Sequence, residues 1–361
     1  MLVAVPFTAI LEWPMGTAAG IATFMNPKVN AMFKKMFDVW AEFLSTPESC
    51  HVLHSGENGW LGPAAGKAMP DFAKTFECDT SAQYHGFTSW DNFFTRPFRP
   101  GSRPLERPDD NSVISNACES TAYRLAHHVK TRDSFWVKGQ PYSLFHMLNN
   151  DPFAPLFANG TVYQGFLNPF DYHRWHSPVD GKIIKTVSVP GTYFAESPAF
   201  GFANPAGPDP LGPSGSQAFV TAVATRMLVF IEADNTNIGL MCFMAVGMTE
   251  VSTCEISVKV GDRIKKGDQL GVSLSFSLES ARFFFIYLRL FFIDVPLWWL
   301  EPLFDISSRN KYQIQSEIPH REPYTSECSD SVCGLVETLW SRFLDTSLVW
   351  TTVDSWCSSV S

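Results

Sequence analysis

Between residues 113 and 260 the chain repeatedly gathers Val, Ile, Phe and Thr into short stretches, at 113–125, 161–167, 182–189, 227–233, 238–246 and 254–260, with turn residues between them. Strands this short, joined by tight connections, must reverse direction at each turn, which predicts a mainly antiparallel sheet. The run Gly261-Asp-Arg-Ile-Lys-Lys-Gly-Asp-Gln-Leu-Gly271 then sets glycines around short apolar pieces, as hairpins of a small β-sandwich or barrel require. These glycines are read as geometric, because no Gly-rich loop opens a helix in the way that phosphate cradling demands.

The amino-terminal part has a different period. Over 26–46, Val29, Met32, Phe33, Met36, Phe37, Trp40, Phe43 and Leu44 recur at helical spacing and form one apolar stripe. Asn26 can cap the free amides, Pro27 suits the first helical position, and Ser45-Thr46-Pro47 ends the run. The stripe is read as core. Residues 97–111, PFRPGSRPLERPDDN, form a turn-rich arm between this helical part and the strands. The expected fold is therefore α+β, with a helical domain over 1–110, a mainly antiparallel β domain over 111–271, and an unassigned tail over 272–361.

Composition narrows the function. At 361 residues and 45% hydrophobic content the chain can bury one large core or two smaller ones. A net charge of −9 argues against a nucleic-acid surface, which needs clustered Lys and Arg. The eight cysteines include no CxxC pair, so neither zinc nor another metal site is expected, and reduced thiols are the plain reading. The first 25 residues are apolar but lack a basic start and carry Glu12, Pro6 and Pro14. They are expected to open a buried helical layer rather than to act as a secretion signal. Residues 282–300 are almost wholly apolar, yet Arg289, Asp294 and Pro296 interrupt them, so no spanning helix is expected. These features point to an intracellular, cytoplasmic protein.

The densest polar cluster is Asp171-Tyr-His-Arg-Trp-His-Ser-Pro-Val-Asp-Gly181. Two histidines three apart share a face if the backbone is helical and diverge if it is extended. Imidazole exchanges protons near neutral pH, so His173 and His176 suit general acid/base work, although satisfied surface or metal-binding histidines would give the same spacing.

That cluster resembles the DYHR-x-H-x-PVDG signature of the phosphatidylserine decarboxylase family. Four further segments are similar to the same family in the same order. They are Asn92-Phe-Phe-Thr-Arg96, Trp136-Val-Lys-Gly139 with Pro141-Tyr-Ser-Leu144, Pro190-Gly-Thr-Tyr-Phe194, and the run ending at Gly271. Other segments resemble the fungal L-tryptophan decarboxylase branch: Ser115–Ser120, Asn149–Phe153, Gly165–Asn168, Phe230–Asn235 and Gly247–Glu255. The likeness covers about residues 15–271.

The resemblance implies a self-processing, pyruvoyl-dependent carboxy-lyase. In that family a serine after glycine attacks the preceding carbonyl, the chain is cut, and the serine becomes a pyruvoyl group that holds the substrate amine as a Schiff base. By resemblance His176 would activate the serine, Glu119 would orient that histidine where the family usually has aspartate, and His173 would assist protonation. Glu119 also reads as an ordinary strand-end carboxylate. The implied substrate is an amino acid such as tryptophan. The alternatives are phosphatidylserine, which would bring the protein to a membrane, and a catalytically dead relative with a binding role.

One part of the pattern is absent. After Leu270-Gly271 the chain continues Val-Ser-Leu-Ser-Phe-Ser-Leu-Glu-Ser280, and none of serines 273, 275, 277 and 280 follows a glycine. A glycine supplies the torsional freedom that lets the hydroxyl reach the carbonyl carbon. Residues 272–361 are therefore expected to be a wrongly translated segment, such as a retained intron or frame shift, that replaces the pyruvoyl-bearing subunit. A tail evolved for another use is the competing reading. Without the family's last strands, an open sheet edge and poor folding are expected.

Overall fold

The computed structural model describes residues 6–132, 142–168, 170–197, 215–274 and 288–293. Its amino-terminal part is helical, with α1 at Pro6–Met15, α2 at Ala18–Phe24 and α3 at Pro27–Leu44. α3 forms as its sequence predicts. Pro27 opens it, and the Asn26 side-chain carbonyl accepts from the Lys28 N–H at 2.9 Å. The stripe Val29, Phe33, Met36, Phe37, Trp40 and Leu44 is buried.

That stripe does not close on helices alone. Phe33 meets Phe194 at 4.9 Å between ring centroids and Phe37 meets Tyr193 at 5.0 Å. Each such buried ring contributes about 1.5–3 kcal/mol relative to exposure. Polar contacts follow the same path. The Thr192 hydroxyl donates to the Phe24 carbonyl at 2.9 Å, and the Tyr193 N–H donates to the Asn30 side-chain oxygen at 3.2 Å. The Thr8 N–H and hydroxyl both donate to the buried Glu250 carboxylate, at 2.9 and 2.8 Å. The helical layer and the strands described next all fall within one compact unit, Met1–Pro296.

The strands are β1 Thr121–Ala126, β2 Val162–Leu167, β3 Arg174–His176, β4 Gly181–Val189, β5 Arg226–Ala233, β6 Leu240–Val246, β7 Thr253–Ile256, β8 Arg263–Ile264, β9 Gln269–Leu274 and β10 Leu288–Ile293. They form a seven-stranded sheet in the order β1-β2-β10-β6-β5-β4-β8 and a three-stranded sheet in the order β3-β9-β7. All strand pairs are antiparallel, so the mixed helix and antiparallel-sheet architecture follows the expected α+β class. β5 and β6 are buried on both faces. Leu228, Phe230, Cys242, Met244 and Val246 join a core with Leu144, Met147, Phe157 and Val162. On the other face Phe243 stacks on Trp175 of β3 at 5.3 Å, which joins the two sheets.

Two expectations are corrected. Residues 113–120 are not strand; β1 begins at Thr121. The open edge is not left either, because β10, from the tail, lies between β2 and β6. Leu288–Ile293 pairs residue by residue with Leu167–Val162, and Arg289 is also opposite Val246. A short stretch rich in Leu, Phe and Ile has a composition that strand pairing favours. The rest of the tail beyond Leu274 lies outside the described residues, as does Trp136-Val-Lys-Gly139.

Candidate active site

The histidine cluster is extended, so its two imidazoles diverge. His173 is buried and stacks on Phe94 with 3.8 Å between centroids. His176, at the end of β3, turns the other way toward Tyr172 and the 261–271 hairpin. Its Nδ1 lies 2.8 Å from the Gly267 carbonyl and its Nε2 lies 2.9 Å from the Tyr172 hydroxyl. A carbonyl can only accept, so Nδ1 carries the proton and Nε2 is the basic nitrogen. Burial pushes the His176 pKa down, opposed by the Gly267 carbonyl, while Arg174 lowers and Asp268 raises it. The ring is neutral near pH 7, as a base should be.

Two arginines tie distant segments into this site. Arg96, fully buried, donates to the carbonyls of Phe170 and Asp171 at 2.6 and 3.0 Å. It also lies over the Phe76 ring at 4.2 Å. Burial brings its pKa down to about 10, so it remains charged. Arg174 donates to the Thr95 carbonyl at 2.6 Å and to the Gln269 side chain at 2.8 Å. The Asn92–Arg96 stretch, the histidine cluster and the hairpin are thus held together. The 115–117 backbone joins them, since the Ser115 N–H donates to Pro178 and Ala117 accepts from the His176 N–H.

Glu119 lies elsewhere than the resemblance implied. Its carboxylate is paired with Arg103, and the nitrogen it would orient, Nδ1 of His176, is taken by a backbone carbonyl. Glu119 still acts at a distance on the site, raising the pKa of Tyr172 and of Asp171. Asp171 is pushed up to about 6, mainly by burial, although its carboxylate accepts the Asn168 N–H. Asp91, facing Glu255 and Arg174, is also raised to about 6 by burial.

Of the serines after Gly271, only Ser273 is described. It follows Val272, is wholly buried, and is locked: its N–H donates to the His173 carbonyl and its hydroxyl accepts from the Trp175 indole N–H at 3.0 Å. Serines 275, 277 and 280 lie outside the described residues. The hairpin glycines are geometric. Gly267 has φ +90°, and a Cβ on Gly271 would stand 2.3 Å from the Glu255 carbonyl oxygen.

The phosphatidylserine decarboxylase model matches residues 90–280, and a second model of the same description matches 1–69. The chain belongs to the phosphatidylserine decarboxylase family. It is 46% identical over 279 residues to decarboxylase iboD of Amanita muscaria, covering 74% of this chain and 80% of that protein. It is 43% identical to the L-tryptophan decarboxylase of Psilocybe cyanescens, covering 74% of this chain but only 64% of that relative's length. Phosphatidylserine decarboxylase proenzyme 3 of Schizosaccharomyces pombe is 26% identical over 58% of this chain.

Several residues at the site escaped sequence reasoning. The Tyr172 hydroxyl and the Gly267 carbonyl fix His176, and a carbonyl partner has no side-chain signature at all. Lys266 is nearly buried and donates to the carbonyls of Arg107, Asp110 and Val113 at 2.9, 2.8 and 3.1 Å, pinning the 97–111 arm beside the hairpin. A lysine inside a hairpin motif reads as solvated until the fold is known. Among the described residues no helix is long and apolar enough to cross a membrane, and no three metal-ligating side chains cluster.

Proposed function

We propose that residues up to Gly271 are the large part of an amino-acid decarboxylase of the pyruvoyl type, with an aromatic amino acid such as tryptophan as substrate. The observation that carries this reading is the placement of His176: the Gly267 carbonyl holds Nδ1, which leaves Nε2 as the basic nitrogen, and the residue pairs with Gln269 at the start of the strand that leads out of the hairpin. In this reading His176 takes the proton of a nucleophilic hydroxyl, and His173, stacked on Phe94, moves a proton during decarboxylation. Glu119 contributes charge through its effect on Tyr172 and Asp171. The L-tryptophan decarboxylases of Psilocybe cyanescens and Psilocybe cubensis, at 43% and 42% identity, support an amino acid over a phospholipid, since the phosphatidylserine decarboxylase proenzyme of Fusobacterium nucleatum covers a similar share of the chain at 25%.

Among the described residues after Gly271, none fits the precursor of a pyruvoyl group. Ser273 lacks a preceding glycine, and its hydroxyl is engaged by Trp175, so no processing step is derived through it. This supports a second reading, in which residues 272–361 come from read-through of an intron and the chain as written does not turn over. Val272-Ser273 directly after Gly271 is what a splice-donor sequence, GTA or GTG followed by AGT, encodes when read through. In that case the transcript population contains a second message that leaves this frame directly after the Gly271 codon.

Expression of the full chain tests both readings. A single band on a denaturing gel and no carbon dioxide release from tryptophan or phosphatidylserine are expected from this sequence. The spliced message is expected to give two bands and release from tryptophan. Two bands from the chain as written would overturn the second reading, and release from phosphatidylserine alone by the spliced product would overturn the amino-acid assignment.

A further inference from the structure

We infer that Tyr172 is a positioning residue for His176: its hydroxyl donates to Nε2 and, with the Gly267 carbonyl on Nδ1, clamps the imidazole at both nitrogens. The inference deepens the proposed function, because it rests on His176 being the base.

The direction of both bonds follows from chemistry. Gly267 offers only a carbonyl, so the ring donates there, and a neutral imidazole then has one lone pair left, at Nε2. The Tyr172 O–H must point at that lone pair. Tyr172 is in turn immobile. It is almost fully buried, its ring lies on Phe98 with 3.8 Å between centroids and a 22° tilt, and Phe76 flanks it at 6.5 Å. Arg103, the partner of Glu119, sits over Phe98 at 5.3 Å. Glu119 thus connects to the base through Arg103, Phe98 and Tyr172 rather than by a direct bond.

The clamp has a functional sense. Desolvation raises the Tyr172 pKa to about 12, so the phenol remains a donor across the physiological range. A donor on Nε2 stabilises the neutral ring and keeps the basic nitrogen aimed at one place until a stronger partner displaces the hydroxyl. The other clamp is part of the same hairpin that ends in β9. The Gly267 N–H donates to the Ser177 carbonyl and the Ser177 N–H to Asp268, so ring and strand cannot shift independently. The charged groups facing the ring are Arg174 and Asp268.

The test is long-range proton–nitrogen NMR on full-length protein labelled at histidine nitrogen, for the wild type and Tyr172→Phe, across pH 5 to 8. Expected are a protonated Nδ1 and a bare Nε2 at pH 7 in the wild type. In Tyr172→Phe the Nε2 resonance shifts and the His176 titration midpoint moves upward, because the neutral ring loses its donor. A protonated Nε2 in the neutral wild-type ring, or an unchanged Nε2 resonance and midpoint in the variant, overturns the inference. Should Tyr172→Phe fail to fold, replacing all tyrosines by 3-fluorotyrosine must move the Nε2 resonance, and an unmoved resonance overturns it equally. Since no turnover is read, a chain that never self-cleaves leaves this result intact.

Discussion

β9 runs through Gly271 into the start of the tail and β10 lies wholly within the tail, and they are built differently. β9 is registered on both flanks. Arg174, Trp175 and His176 pair with Val272, Gly271 and Gln269, while Thr253–Ile256 pair with Leu274–Gly271. Its Gly271 packs against the Trp175 ring, and its Gln269 pairs with His176. β10 is registered residue by residue on β2 but meets β6 at the single pair Arg289 and Val246. β9 therefore depends on particular side chains and close approaches, whereas β10 is defined by its backbone register. The contrast teaches that backbone pairing alone asks less of a sequence than close approaches around a glycine and an indole do.

The largest expected effect is on β9. Gly271→Ala places a Cβ 2.3 Å from the Glu255 carbonyl and 2.5 Å from the Trp175 ring, both rigid. A loss of about 3 kcal/mol or more is expected in urea denaturation, since overpacking of this kind has no flexible atom to yield. The parallel change on β10 is Arg289→Pro, which removes a ladder donor opposite Phe166 and Val246. A loss of about 1–3 kcal/mol is expected if the tail strand is seated in solution. An unchanged unfolding midpoint would break the comparison by showing that β10 adds nothing to the fold.

Much of this was legible in the sequence, because period and punctuation report backbone state directly. The α3 helix with its Asn26 cap and the strands near 162–167, 181–189, 226–233 and 240–246 follow from such local signals. β3 was not separable from its motif, being three residues long with an indole and an imidazole for pattern. The pairing of β10 with β2 is a long-range event with no local mark. At the site, the resemblance located the histidines, but the partner of each nitrogen depends on which elements the fold brings alongside. Glu119 sits two residues from a backbone contact with His176, yet Arg103, sixteen residues away in sequence, is the partner it meets.

The smallest expected effect concerns charge stored beside β3. Burial raises the Asp171 carboxyl to about 6, so the folded protein binds more protons there than the unfolded chain between the ordinary carboxylate value of 3.8 and about 6. Stability then falls as pH rises through that window, and the cost is complete above it. Asp171→Asn removes the charge while its side-chain oxygen can still accept the Asn168 N–H, which donates to the carboxylate at 3.0 Å in the native chain. The variant should match the wild type below pH 4 and exceed it at pH 7.5 by about 1 kcal/mol, a figure discounted for partial exposure of the carboxylate. Denaturant midpoints at the two pH values decide this. A variant weaker than the wild type at pH 7.5 would mean that Arg96 and the loop carbonyls need the negative charge, so that the β3 side is held by charge pairing rather than bearing an unfavourable charge, as functional sites commonly do.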